Sequence, residues 1–241
     1  MESKKIINNY MKAVILAGGL GSRLKPFTDL IPKPLLPIGE KAVLEIQIEQ
    51  LKKFGFNEIY LATNHKSEYV ENFIGDGSKY GIKIIISKED KPLGTAGPIS
   101  LISKELKDEP FLVMNGDVLT KCDFRKLYDF ALNINTDLTL CVKEFITPFK
   151  FGNIKSEGDY VIEIKEKPNI KTNILAGIYV MKKGVFDYIK YNVNYDMDKL
   201  INDMISNNHK IAKYELEEYW LDIGGVQEYK DAQEIYFKHF K

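Results

Sequence analysis

The chain has 241 residues, 44% of them hydrophobic, which is enough to bury a core and fits one α/β domain, or one with a small appendage, better than two. Lys plus Arg balance Asp plus Glu at 34 each, which speaks against a surface that coats nucleic acid but leaves room for a local basic site. Cys122 and Cys141 make neither a disulfide framework nor a metal spacing, in keeping with a reducing cytoplasm. No apolar run approaches the roughly 20 residues that a membrane helix needs, so no membrane partner is expected.

The first ten residues, MESKKIINNY, lack the apolar core of a signal peptide and precede a second methionine, Met11. They read as a linker, an added arm or an upstream start, with the domain proper over 11–241. KAVILA (12–17) has the composition of a buried strand, and the stretch from 42 to 56 carries Leu44, Ile48 and Leu51 at helical spacing before stopping at Gly55. A strand at 58–63, a helix at 67–74 and a strand at 82–87 follow. A helix is predicted over 95–106, with Pro98 tolerable in its first turn, and then a buried strand at 111–114 ending in NGD. This alternation predicts a largely parallel sheet covered on both faces. The second half changes character: DLTLCVK, FGNIKS, YVIEIKEKP and NILAGIYVM are strand-like pieces joined by short turns, so antiparallel pairs should extend the sheet. Helices near 184–190, 196–207 and 225–239 close the domain.

The chemistry concentrates first in AVILAGGLGSRLKPFT, residues 13–28. A Walker loop would need Gly-Lys-Ser/Thr where this chain has Gly21-Ser22-Arg23, and a dinucleotide fingerprint would need a third glycine where Leu24 stands. A glycine-rich turn without a ligand is the plain alternative. Against it stands the density of cations, since Arg23, Lys25 and Lys33 follow closely, and prolines 32, 34 and 37 stiffen the chain around Lys33. Lys25 is left as an ordinary solvated charge. A stiff glycine turn beside a stiff lysine is a site for condensed negative charge.

LAGGLGSRLKPFT with IPKPLLPI resembles the signature of the sugar-1-phosphate nucleotidyltransferases, the nucleotide-sugar pyrophosphorylases. The resemblance continues in the family's order through PLGTAG (92–97), VMNGD (113–117), EKP (166–168), LAGIYV (175–180) and YWLDIG (219–224). It is nearest the short bacterial guanylyltransferases that act on mannose, heptose or hexosamine 1-phosphates. The resemblance implies a single Rossmann-like three-layer α/β domain with a mostly parallel mixed sheet. It implies a cytoplasmic enzyme that joins a sugar 1-phosphate to the α-phosphate of an NTP with loss of pyrophosphate, and it leaves room for a homo-oligomer. A phosphate monoester has its second pKa at about 6 and is already ionised at neutral pH, so no general base is required. Positioning and electrostatics carry such a transfer.

By the resemblance, Arg23 meets the triphosphate and leaving pyrophosphate, while Lys33 meets the α-phosphate and the incoming sugar phosphate. Leu16, Ala17, Gly18, Gly19, Gly21, Ser22, Gly94 and Thr95 line the nucleotide. Asp117 follows a buried strand, at the edge where open α/β sheets take ligands, and Asp222 lies far away in YWLDIG. An Asp-Gly dipeptide is more often a plain turn, but the resemblance assigns both aspartates to Mg²⁺, which takes one or two carboxylates plus substrate phosphates. Glu89 precedes Gly94 by five positions, where thymidylyl relatives tend to have Gln. A carboxylate accepts both the N1–H and N2–H₂ of guanine, which favours GTP over UTP, dTTP or CTP. On the sugar side the resemblance points to Gly152, Glu166 and Lys167. Relatives place Asn directly before AGIY where this chain has Leu175, and Asn173, two residues earlier on the same strand face, is the candidate substitute. A reading of another class, a non-catalytic homologue that senses a nucleotide sugar, would not need Arg23, Lys33, Asp117 and Asp222 together.

Overall fold

The computed structural model describes residues 10–134 and 136–241, so nine of the ten residues read as an arm or linker lie outside the described residues. β1 (Met11–Leu16) ends in the glycine loop, which runs through a 3-10 turn at Ser22–Leu24, the short helix α1 (Phe27–Leu30) and a second 3-10 turn at Lys33–Leu35. A tight hairpin, β2 (Pro37–Ile38) with β3 (Lys41–Ala42), leads into α2 (Val43–Lys53). Next come β4 (Phe56–Thr63), α3 (Ser67–Ile74) and β5 (Lys83–Lys88). A 3-10 turn at Gly97–Ile102 runs into α4 (Ser103–Leu106), followed by β6 (Phe111–Asn115), β7 (Val118–Thr120) and α5 (Phe124–Asn133). The second half holds β8 (Leu138–Pro148), the hairpin of β9 (Asn153–Glu157) and β10 (Tyr160–Lys165), and the long β11 (Asn169–Met181). A 3-10 turn at Lys183–Asp187, α6 (Met197–Ser206), β12 (Ile211–Glu215), β13 (Trp220–Asp222) and α7 (Val226–His239) complete the chain.

Among the described residues the central sheet has seven strands in the order β12-β8-β11-β6-β1-β4-β5. β6, β1, β4 and β5 are mutually parallel, β11 is antiparallel to both its neighbours, and β12 is parallel to β8. Alternate residues of the buried strands face opposite layers, as a pleat requires. Ala13, Ile15, Ile59 and Leu61 pack with Leu44, Ile48 and Leu51 of α2 and with Phe124 and Leu127 of α5. Val14, Tyr60 and Val113 pack on the other side with Ile99, Leu106 and the α6 residues Leu200, Ile201 and Met204. The result is the expected three-layer α/β domain with a mostly parallel mixed sheet. A third cluster, including Leu24, Leu36, Val43 and Tyr236, lies where the glycine-loop segment meets α7.

The single helix expected over 95–106 is instead a 3-10 turn followed by one turn of α-helix. Its N-terminal part is tied elsewhere, because Ala96 and Gly97 both donate to Tyr195 O at 2.9 Å. The helix expected near 184–190 is a 3-10 turn. Helix α5 and strand β12 were not foreseen. In α5, Phe124, Leu127, Tyr128 and Ala131 are buried at helical spacing behind an N-cap at Asp123, which accepts from Lys126 N. β11 begins at Asn169, four residues before the expected strand, and pairs with β8 out to Pro148 as a projecting ribbon.

Candidate active site

β1 and β6 lie side by side at the centre of the sheet, with Leu16 opposite Asn115 at their C-terminal ends. Chain order reverses there, and the crevice beyond such strand ends is where α/β sheets take ligands. The glycine loop leaves β1 at this point. Gly21 adopts φ +64°, and a Cβ there would stand 2.7 Å from Thr28 Cγ2 and 3.1 Å from Lys33 Cβ. Only glycine fits both the left-handed backbone and the close approach. Thr28 Oγ1 donates to Gly21 O at 2.8 Å, and Lys66 Nζ donates to Thr28 O and Asp29 O at 3.1 and 2.6 Å. The loop is thus folded back so that Arg23 and Lys33 line one cavity of about 150 Å³ together with Ala17, Gly19, Gly21, Ser22 and Asp117.

Asp117 and Asp222 are brought together by the pairing of β7 with β13, which sets Asp222 opposite Val118. Ile223 N donates to Asp117 O at 3.0 Å, and Gly116 N donates to Leu16 O at 2.9 Å, fixing the turn against both β13 and β1. Lys33 Nζ donates to Asp117 Oδ2. The Arg23 guanidinium lies over Gly224, where a Cβ would stand 3.3 Å from both terminal nitrogens. Burial, and then the charge of Asp117, hold the Asp222 carboxyl above the usual carboxylate range, with Lys33 and Arg23 drawing it down. Asp117 Oδ1 and Asp222 Oδ1 are buried and accept no hydrogen bond. Buried carboxylate oxygens without donors are costly unless a cation meets them. Among the described residues no cluster of three or more His, Cys, Asp or Glu forms a self-sufficient metal cage. Two open carboxylate oxygens fit a Mg²⁺ ion whose remaining ligands are phosphate and water.

A second cavity of about 370 Å³ adjoins the first, sharing Leu16, Gly19 and Asp117 with it. Gly18, Glu89, Gly94 and Thr95 line it. Glu89 is buried, its Oε2 accepts Leu93 N–H at 3.0 Å, and Oε1 would be 2.9 Å from a Cβ on Gly18. Burial pushes its carboxyl above the ordinary value, against the pull of Leu93 N–H and Asn64. The PLGTAG segment is held by the N-terminus of α6: Thr95 N donates to Asp196 Oδ1 at 3.1 Å and Met197 N donates back to Thr95 Oγ1 at 2.8 Å. A wider groove of about 800 Å³ includes Lys52, Asn57 and Lys83 in its lining, at the opposite ends of β4 and β5. Its lysines are already engaged with Tyr80 O and Glu58, and no reactive constellation faces it.

Of the four residues expected on the sugar side, Asn173 lies on the projecting ribbon, and Gly152, Glu166 and Lys167 lie in the segments that join the ribbon to the β9–β10 hairpin. Gly152 and Glu166 are adjacent, a Cβ on Gly152 standing 3.2 Å from Glu166 Oε2, and Lys167 Nζ is 4.0 Å from Glu166 Oε1. Asn173 is exposed opposite Glu144 on β8. Nothing in the described contacts joins these four to Asp117 or Asp222. The AGIY segment does reach the site: Gly177, at φ +67°, would place a Cβ 2.6 Å from Asn115 Nδ2, and Trp220 Nε1 donates to Ala176 O at 2.8 Å. Three site residues escaped sequence reasoning. Asn64 and Asn115 each follow or close a sheet strand and line the larger cavity, a signal readable in TNH and MNG. Lys143 donates to Leu216 O, Glu217 O and Glu218 O at 2.9 to 3.0 Å, steadying the approach to β13, and no local motif marks it.

Residues 12–239 match the family described as Nucleotidyl transferase. Mannose-1-phosphate guanylyltransferase 1 from Arabidopsis thaliana is 35% identical over 234 residues, covering 94% of this chain and 64% of that protein. The catalytic subunit beta of mannose-1-phosphate guanylyltransferase from Dictyostelium discoideum is 34% identical over 240 residues, covering 96% and 66%. The chain thus spans somewhat less than two thirds of the length of such curated relatives. The crystal structure of HddC from Yersinia pseudotuberculosis complexed with GMP-PN superposes with a TM-score of 0.74 at 26% identity, covering 94% of this chain and 99% of that one.

Proposed function

The chain belongs to the nucleotidyl transferase family, and from that premise we propose that it transfers GMP from GTP to a sugar 1-phosphate and releases pyrophosphate. The observation that carries this reading is the convergence of Arg23, Lys33 and Asp117 on one small cavity that adjoins a nucleoside-sized one, with Asp222 beside it and within the electrostatic reach of all three. The sugar phosphate is ionised at neutral pH and attacks the α-phosphate directly. What the protein must supply is alignment and positive charge.

Arg23 offers a planar fork of donors for the β- and γ-phosphates that leave together. Lys33, a compact point charge already paired with Asp117, meets the α-phosphate and the incoming sugar phosphate. Asp117 and Asp222 would hold Mg²⁺, their Oδ1 atoms being without any hydrogen-bond donor. When bound, the ion neutralises charge on the phosphate oxygens. Backbone N–H groups from Gly18 to Ser22 line the polyphosphate, while Glu89, at the back of the larger cavity, accepts the N1–H and N2–H₂ edge of guanine. One oxygen of Glu89 is shared with Leu93 N–H, but each carboxylate oxygen has two lone pairs and can take a second donor. Glu166 and Lys167, between β10 and β11, are assigned to sugar hydroxyls and phosphate, and Leu175 in place of an amide marks where the sugar preference departs from relatives.

The named relatives make mannose 1-phosphate the first acceptor to test. The product would serve surface-glycan assembly, with the reaction set in the cytoplasm where nucleoside triphosphates are abundant. The deciding experiment is a matrix of GTP, UTP, dTTP and CTP against mannose, glucose, heptose and hexosamine 1-phosphates with Mg²⁺, with mass detection of the product. GDP-sugar formation with release of pyrophosphate is the expected result. Strict use of UTP or dTTP would overturn the base assignment, and absence of any turnover with retained nucleotide binding would favour a sensing homologue.

A further inference from the structure

The turn that carries Asp117 is gripped from the α2 side by a residue outside both cavities. Gln47 is buried at 3% exposure on α2, among Leu44, Ile48 and Leu51. Its Nε2 donates to Asn115 O at 3.0 Å and to Val118 O at 2.8 Å. Those are the two carbonyls that flank Gly116-Asp117, so one amide spans the whole turn between β6 and β7. Both N–H groups are used, and Oε1 is left buried with no hydrogen bond. Among the described residues the other buried side-chain atoms in that condition are Asp117 Oδ1 and Asp222 Oδ1, the pair assigned to the cation.

A buried carbonyl without a donor costs roughly what two neutral hydrogen bonds return. A leucine or methionine at position 47 would fill similar volume without the orphaned oxygen, but would take the shared donor away from Asn115 O and Val118 O. Stability alone does not single out Gln47, and its two bonds fall on the one turn where the angle of a carboxylate matters. We propose that Gln47 is a positioning residue for the divalent-cation site, locking the Asn115–Val118 turn so that Asp117 Oδ1 faces the same point as Asp222 Oδ1. This rests on the reading of the two aspartates as cation ligands. Residues that orient metal ligands from behind usually change metal affinity or activity by about 10–100-fold when removed.

The test uses Gln47→Leu and Gln47→Met in the full chain. Trp220 is the single tryptophan and lies two residues before Asp222 in β13, so its fluorescence is followed as one readout of cation binding, beside the electron paramagnetic resonance signal of free Mn²⁺. Mn²⁺ is titrated into protein with GTP held at a fixed equimolar level and the Mn²⁺ bound by free GTP subtracted from a protein-free titration, and melting curves are recorded in parallel. Both variants should melt close to wild type, while their Mn²⁺ dissociation constants rise about tenfold or more. At saturating Mn²⁺, kcat should stay depressed with the KM for the sugar 1-phosphate unchanged, the pattern of a misaimed ligand. Mn²⁺ affinity equal to that of a responding wild type overturns the inference alone. Variants that melt far lower or fail to fold also overturn it, since Gln47 would then be structural. A wild type with no Mn²⁺ response overturns the cation reading and this inference with it.

Discussion

The Asp222 carboxyl is raised above its ordinary value of 3.8, chiefly by burial and then by Asp117. A raised folded-state pKa means that the native protein keeps this proton more readily than the unfolded chain. The stabilisation is full below the unfolded pKa and is lost as pH rises through the folded one. At neutral pH the ionised Asp222 therefore weighs against the metal-free fold. Asp222→Asn should raise the melting point of the metal-free protein near neutral pH, worth about 0.5–2 kcal/mol, with little gain in acid. Turnover should fall by about 10²–10³-fold. Melts across pH decide the matter, and an Asn variant less stable than wild type at neutral pH would refute the burial argument. Glu89 is raised by burial in the same way. As pH falls through that value it protonates and loses acceptor capacity, so the KM for GTP should rise on the acid side. Glu89→Gln should flatten that profile and move preference toward UTP or dTTP. Arg23, Lys33, Asp117 and Asp222 were legible as candidates because each stands in a short motif that carries the family resemblance, and their proximity is what the structure adds. Gln47 and Lys143 were not, since each grips backbone carbonyls roughly 70 residues away, and a sequence does not display that pairing.

Two elements bear on Asp222 from outside the crevice. The loop from Leu216 to Glu218 turns three successive carbonyls toward Lys143 Nζ, whose ammonium has three protons to give. Lys143 stands on β8 opposite Ile174, at the root of the projecting ribbon, so the ribbon and the strand that carries Asp222 share one fastening. Lys143→Met should lower stability by about 1–2 kcal/mol in urea unfolding and reduce kcat through a looser β13, while Lys143→Arg retains part of both. Full activity in the Met variant would show that the loop is held by its own backbone. Strand β11 also explains where the sequence reading ran short. Its first residues, NIKT, look like turn and loop, yet they pair with Pro148 to Phe145 because β8 continues beyond the sheet. The 95–106 segment is a 3-10 turn followed by one turn of α-helix, with its leading N–H groups held by Tyr195 O and Asp196 Oδ1, a long-range docking that the local sequence does not display.

At the scale of the whole molecule, the site is assembled from pieces far apart in the chain. The loop after β1 brings Arg23 and Lys33, the turn after β6 brings Asp117, and β13 returns from near the C-terminus with Asp222. The parallel half of the sheet was legible from strand–helix alternation, and its antiparallel extension by β8 and β11 from the strand-like pieces of the second half. The β9–β10 hairpin, expected to extend the sheet too, pairs only with itself, and β12 joins through long-range pairing that the sequence does not announce. Such an assembly should respond to ligands as a unit. With two unpartnered carboxylate oxygens among the described residues, the cation needs phosphate to complete its shell, and the polyphosphate needs the cation to offset repulsion from the two aspartates. Mg²⁺ and a non-hydrolysable GTP analogue together should therefore raise the melting temperature by more than the sum of their separate shifts. Ligand at about 100 times its dissociation constant adds about 2.7 kcal/mol, so the joint shift should be easy to resolve. Asp117→Ala and Asp222→Ala should each abolish the excess while leaving any weak GTP-only shift in place. A full shift from Mg²⁺ alone would mean a protein-built cage elsewhere, and a full shift from the analogue alone would mean that cations of the protein suffice for the triphosphate. Either result would separate the aspartate pair from nucleotide binding and leave the two cavities as neighbours without shared chemistry.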